Sequence, residues 1–236
     1  MASFSALVKV LLLGAVGVLL CVWVVENPQD SLVSRLVTYD KVWVLLLQHL
    51  YLVAASALLA VVTAVPLGVA LTRPAWKAWA PRVLAVVNVG QTVPSLAVVA
   101  LTVGVLGVGS KTAIVALWIY SLLPILSNTL VGFQELDPAI TEAARGMGMK
   151  PRRVLFRVEL PLAAPLILAG IRTAVTITIG SAILAAFVGG GGMGNLIIAG
   201  NNISRWQVLV LGATLPVLMA LVADIAFERL ETKASR

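Results

Sequence analysis

Few side chains in this sequence are equipped for chemistry. His49 is the only histidine, Cys21 the only cysteine, and ten carboxylates are spread over 236 residues. Nucleophilic catalysis by a serine needs a histidine and a carboxylate in an orienting chain. No such arrangement is visible around His49, which lies beside Gln48 and near Tyr51 at the outer mouth of an apolar stretch. It reads as packing at an interface, since a proton relay would need partners. Cys21 alone can make neither an internal disulfide nor a cysteine-rich metal site, and no metal-ligand spacing occurs elsewhere. Two glycine-rich stretches imitate phosphate-binding loops. Gly104 to Thr112 reads GVLGVGSKT, but Ser110 separates Gly109 from Lys111, so the P-loop spacing fails. Gly189 to Gly194 touches a G-x-G-x-x-G pattern with no strand before it, and reads as an outer turn or re-entrant segment. Catalysis on a substrate is therefore not expected of this chain.

The remaining polar candidates sit inside apolar runs, where they are costly. Arg172 is the most expensive, about 16 Å along a helix from Pro161 at 1.5 Å per residue. It either faces the interior and pairs with Asp224 or Glu142, or extends back to the membrane surface. Gln91, Thr92, Pro94 and Ser95 form one polar stripe, and Tyr120, Ser121 and Asn128 a second. Each stripe either lines a pathway or serves ordinary helix packing. Pro66, Pro94, Pro124 and Pro216 each remove a helical hydrogen bond.

The elements that hold these residues follow from composition. Sixty per cent of the residues are apolar and only 11% charged, too little polar surface for a water-soluble domain of this size. The apolar runs are long and lack strand alternation, which excludes a barrel and leaves helices. An all-α polytopic membrane protein with six transmembrane helices is expected, at about Leu7–Val25, Gln48–Leu71, Arg82–Leu106, Thr112–Phe133, Leu162–Val188 and Gln207–Phe227. The stretch with Asp40, Lys41 and Trp43 is expected to lie at the interface before the second span. Of 17 Lys and Arg, only Arg35, Lys41, Lys111 and Arg205 fall on one side, with Arg172 inside the fifth span. The other twelve, from Lys9 to Arg236, share the opposite side, which places that side and both termini in the cytoplasm. The net charge of +7 is thus a topology signal, and the partner it implies is membrane lipid, not nucleic acid. Residues 1–47 are expected to form a first helix and an extracytoplasmic segment, 48–228 the main membrane domain, and 229–236 a cytoplasmic tail.

The longest charged loop, Glu135 to Pro161, faces the cytoplasm in this arrangement. Asp137 before Pro138 is a helix start, a side-chain cap followed by a residue that needs no amide. Gly148 supplies a stop. Pro151 opens a second helix, expected to end at Leu160–Pro161. Two short helices with Ala143 and Ala144 allowing close approach suit docking into a partner's groove; the plainer alternative is an amphipathic interface loop.

The spacing within this loop resembles a known motif. Glu142-Ala143-Ala144, three residues, Gly148, nine residues, then Val158, Glu159, Leu160 and Pro161 is similar to the EAA loop of bacterial ABC importer permeases: E-A-A, three residues, G, nine residues, I, any residue, L, P. Val158 stands where Ile is usual. Gln91-Thr92-Val93-Pro94-Ser95-Leu96-Ala97 resembles a segment of osmoprotectant permeases, the importers of glycine betaine, carnitine and choline. So do Tyr120 to Ile125, Asn128-Thr129, Ala169 to Thr173, and the outer glycine turn from Phe187 to Gly194. The resemblance spans about Gln48 to Phe227. It implies a five-helix type I ABC importer core of the MetI kind, in a bacterial cytoplasmic (inner) membrane, with an added first helix. It implies that Asp137, Glu142, Ala143, Ala144, Gly148, Leu160 and Pro161 form the coupling loop to an ABC ATPase subunit pair. It further implies a second permease subunit, identical or related, and an extracytoplasmic substrate-binding protein. ATP and Mg would bind the ATPase, leaving this chain no cofactor of its own. A permease for methionine or another small solute is the near alternative. A stand-alone secondary transporter would need intramembrane carboxylates or an inverted repeat, and Asp224 is the only acidic candidate.

Overall fold

The computed structural model describes residues 2–234, with side chains from Leu7 onward. Met1, Ser235 and Arg236 lie outside it, and with them one of the twelve cytoplasmic cations and the end of the expected tail. Every regular element among the described residues is helical. Helices α1 (Ala2–Glu26), α3 (Tyr39–Leu71), α6 (Ser110–Gln134), α9 (Leu160–Ser181, continuing a rod from Pro151) and α11 (Trp206–Ala234) are long and apolar enough to cross a membrane. The shorter helices are α2 (Ser31–Leu36), α4 (Ala80–Thr92), α5 (Ser95–Leu106), α7 (Pro138–Gly146), α8 (Pro151–Val154) and α10 (Gly194–Asn202).

The expected third span is not one helix. Helices α4 and α5 meet at an angle of 100°. Pro94 is the cause, because its ring excludes the preceding residue from helical geometry. Val93 is accordingly extended (φ −72°, ψ 130°) and Pro94 begins the next helix instead of continuing the first. The stretch at Asp40 to Trp43 belongs to the same helix as the second span, since α3 runs unbroken from Tyr39 for 33 residues. Thr38 starts it by accepting the amide of Lys41. Helix α10, in what reads from sequence as an outer loop, is an addition that the apolar-run criterion misses because it is only nine residues long.

Small residues set the packing. A side chain at Gly68 would lie 2.7 Å from Thr129 Cγ2, and one at Gly170 would lie 2.7 Å from both the Pro124 carbonyl and Asn128 Cβ. These two contacts bring α3 against α6 and α6 against α9 at backbone distance, as lipid-embedded helices require in the absence of a hydrophobic drive between them. Helix α9 packs along α11, and α1 packs on the far face of α11. A second apolar cluster at one end joins Val24, Val33, Val37 and Val42 of the first three helices to Met193, Leu196, Val208 and Leu211. It makes the N-terminal segment a part of that end of the bundle. Most of α1 turns its leucines outward, Leu11, Leu12 and Leu19 among them, as lipid-facing positions do.

Candidate functional site

The loop between α6 and α9 forms as its caps dictate. Asp137 Oδ1 accepts the amide of Ala139 at 2.9 Å, and Pro138 holds the first helical position of α7. Gly148 closes it with φ +79°, a left-handed conformation that costs a residue with Cβ about 1–2 kcal/mol. Its amide donates to Arg145 O at 2.9 Å, and Met149 N donates to Ala144 O at 3.2 Å. The two alanines part company: Ala144 is buried, while Glu142 and Ala143 are exposed. Ala144 therefore anchors α7, and Ile140, Glu142, Ala143 and Met147 are among the residues left exposed, the last 77% exposed.

Leu160 and Pro161 do not end the second loop helix. The rod from Pro151 continues into α9, widening to a π turn over Leu155–Glu159. Pro161 has no amide for the carbonyl of Arg157, four residues earlier, and its ring would strike that carbonyl in a regular helix. A wider turn removes the clash.

At the α4–α5 elbow the polar residues are joined by two proline effects. Pro124 leaves the Tyr120 carbonyl without its helical donor, and Gln91 Nε2 donates to that carbonyl at 2.8 Å. The Tyr120 hydroxyl in turn donates to the carbonyl of Val93, the extended residue of the elbow. Proline positions thus pair Gln91 with Tyr120 across 29 residues, a signal present in the sequence as Tyr120 four residues before Pro124. The Thr92 hydroxyl turns back to Val89 O at 2.8 Å. Thr92 and Pro94 are exposed at the elbow and Ser95 is half-buried. Ser121 lies deeper, wholly buried, with its oxygen 2.7 Å from Thr178 Oγ1 between α6 and α9, a tie worth about 0.6 kcal/mol. Asn128 donates to the Pro124 carbonyl at 2.8 Å and faces Gly170.

Arg172 meets Asp224, not Glu142. Its Nε lies 2.5 Å from Asp224 Oδ1 and its Nη2 2.8 Å from Oδ2, a two-pronged pair that ties α9 to α11. Nη1 also reaches Glu231 at 3.4 Å, one of the carboxylates that sequence reasoning did not consider. An arginine at the centre of a span costs roughly 2.5–3.5 kcal/mol, and this pairing offsets it.

The opposite end carries the glycine turn. After Ser181 the chain tightens to a 3-10 helix, three residues per turn, over Ala182–Val188, and Gly189, Gly191 and Gly192 follow with φ of 66°, 83° and 86°. Gln48 Oε1 accepts the amide of Gly192 at 3.1 Å, and His49 Nε2 lies 3.0 Å from Ile179 O. His49 is wholly buried, and its Nδ1 has no partner among the described residues. Within the GVLGVGSKT stretch residues 107–109 make the turn between the end of α5 and the start of α6, with Gly109 at φ 137° and its amide donating to Val188 O at 2.7 Å. Outside the core, Asp30 caps α2 and takes Arg205 Nε at 2.5 Å. The backbone amide of Val33, and then Arg205, hold the Asp30 carboxyl below its ordinary range. Gln207 bonds both Asn27 O and the amide of Gln29, at 3.0 and 2.7 Å.

Comparison with known proteins agrees with this architecture. Residues 64–236 match the family described as binding-protein-dependent transport system inner membrane component. The choline transport system permease protein OpuBB of Bacillus subtilis (strain 168) is 44% identical over 79% of this chain and 85% of its own. The osmoprotectant import permease protein OsmY of Salmonella typhimurium (strain LT2) is 44% identical over 75% of each chain. Among solved structures, a chain of the MetNI methionine ABC transporter in an inward-facing conformation superposes with a TM-score of 0.72 at 24% identity, covering 84% of this chain and 95% of that one; the likeness shows the fold. With its bundle of long apolar helices, its bent pair and its match over most of the sequence, the chain belongs to the binding-protein-dependent transport system inner membrane components, the multi-pass permeases of ABC transporters.

Proposed function

We propose that this chain is the permease subunit of an importer for quaternary-ammonium osmoprotectants such as glycine betaine. The observation that carries the proposal is the 44% identity to permeases whose names give choline and osmoprotectants as cargo. No aromatic cage of the kind that binds a quaternary ammonium is formed by its tryptophans, of which Trp43, Trp76, Trp79 and Trp206 are exposed. Selectivity then rests with an extracytoplasmic binding protein that delivers the cargo.

In this reading two permease subunits, identical or related, enclose the pathway, and α7 of each docks into an ATPase subunit. ATP and Mg bind the ATPases. The positive side of the chain, with the loop and both termini, faces the cytoplasm. Closure of the ATPases draws the two loops together and shifts the bundle between two packed arrangements. The elbow supports a pathway role for Thr92, Pro94 and Ser95, because irregular backbone at membrane depth persists only inside protein or along a cavity. Gln91, Tyr120, Ser121, Asn128 and Arg172 hold the helices around it.

Uptake into proteoliposomes containing the permease and its ATPase, with the binding protein added outside, tests this. ATP-dependent accumulation of glycine betaine, carnitine or choline is expected. Accumulation of methionine in their place would reject the cargo, and uptake without the ATPase would reject the class.

A further inference from the structure

The second half of the loop contains a buried acid that the docking face does not use. The π turn over Leu155–Glu159 carries Glu159 inward, where its side chain is only 7% exposed. A carboxylate this buried needs a cation close by, and Arg73 Nη2 lies 2.6 Å from Glu159 Oε2. Arg73 belongs to neither loop helix. It stands two residues beyond the end of α3, and its guanidinium carbon also lies 5.5 Å from the ring centre of Phe133, at the end of α6. Phe133 packs in turn on Ala163 and Ile167 of α9. One arginine thus connects the ends of α3 and α6 to the start of α9. The spacing of the loop motif leaves position 159 open, so the motif itself does not call for an acid there.

Mechanics give this junction its meaning. Helix α7 touches the rest of the chain mainly through α8 and the π turn. Apart from the short link back to α6, a push on α7 therefore enters the bundle at that turn. A π turn is a natural point of bending, and alone it would absorb the push by local rewinding. Fastened by Arg73, it must take α3 and α9 with it.

We propose that the Arg73–Glu159 pair is the strut that carries displacement of the loop into the bundle, which makes both of them positioning residues for transport. The inference rests on the reading of α7 as an ATPase dock. The test uses the complete importer in proteoliposomes and reads cargo moved per ATP hydrolysed. Arg73→Met with Glu159→Gln removes both charges at similar volume and leaves no unpaired buried ion. The ATPase is expected to stay bound while cargo per ATP falls about tenfold. The exchange Arg73→Glu with Glu159→Arg is expected to recover most of the ratio, and either half of it alone is not. A neutral pair with the original ratio overturns the strut, as does an assembled exchange variant no better than its halves. A neutral pair that fails to assemble assigns the residues to folding and overturns it too. If the unaltered chain retains no ATPase, the dock itself fails, and that is seen before any variant is made.

Discussion

At the glycine end of the bundle Asp30, Gln48, Arg205 and Gln207 bond within the chain, whereas at the loop end a helix face is turned outward. Asp30 with Arg205, Gln207 with Asn27 and Gln29, and Gln48 with Gly192 bind one another across the glycine end. Helix α7, by contrast, buries Ala144 and leaves Ile140, Glu142, Ala143 and Met147 uncovered. The same chain ties one end together across distant segments and leaves the other open, although both are built from short helices and glycine stops. In the proposed function the open face is the one that a partner subunit completes.

That contrast predicts opposite responses to the same kind of substitution. Gly194→Ala places Cβ 2.0 Å from the Ile183 carbonyl, with backbone and not a movable side chain in the way. Overpacking of this kind costs about 3 kcal/mol, and thermal unfolding in detergent is expected to show a large drop in midpoint. Gly148→Ala at the loop end meets open space and only the strain of φ +79°. A loss of about 1 kcal/mol is expected, with the bundle intact and ATPase retention weakened, measurable by co-purification. Equal destabilisation at the two glycines would erase the distinction.

Glu142→Lys changes charge on an exposed position and is expected to move stability by no more than about 0.5 kcal/mol. Its effect belongs to ATPase binding, read by titrating the ATPase onto the purified permease. The smallest effect is on pH. Asp30 has its folded pKa held below the ordinary value by Val33 N and Arg205. Its contribution is complete above about pH 4 and is lost as pH falls through the lowered folded value. Hydrogen exchange in α2 is expected to be indifferent to charge on Asp30 between pH 5 and 8, and to quicken only on strong acidification, once intrinsic exchange is corrected for. The Asp30→Asn variant should lose that acid response.

Much of the loop end was legible in the sequence because its signals are local. Asp137-Pro138 and Gly148 each determine the conformation of their own residues, and the spacing from Glu142 to Pro161 is a pattern in one short segment. The rod through Pro161 was not legible, since a proline near a helix start, a stop and a widened turn look alike until the helix behind it is known to continue. The elbow was half legible: Pro94 was plain, but the extended Val93 before it, which turns a break into a 100° bend, was not weighed. The partners of Glu159 and Arg172 lie 86 and 52 residues away, so only packing selects them. Asp224 and Glu142 were equal on sequence for Arg172, and the meeting of α9 with α11 decided between them. His49 was expected to pack at an interface, but its partner, the Ile179 carbonyl, lies 130 residues away and only packing selects it.

The central claim is that the α7 face is the ATPase dock. Single cysteines placed by Ala143→Cys at the loop end and Asn201→Cys at the glycine end, each in a Cys21→Ser background, compare the two ends directly in membranes that contain the ATPase subunit. A short cross-linker is predicted to join Ala143→Cys to the ATPase and to leave Asn201→Cys unlinked to it. Cross-linking to the ATPase from Asn201→Cys with none from Ala143→Cys would contradict the account.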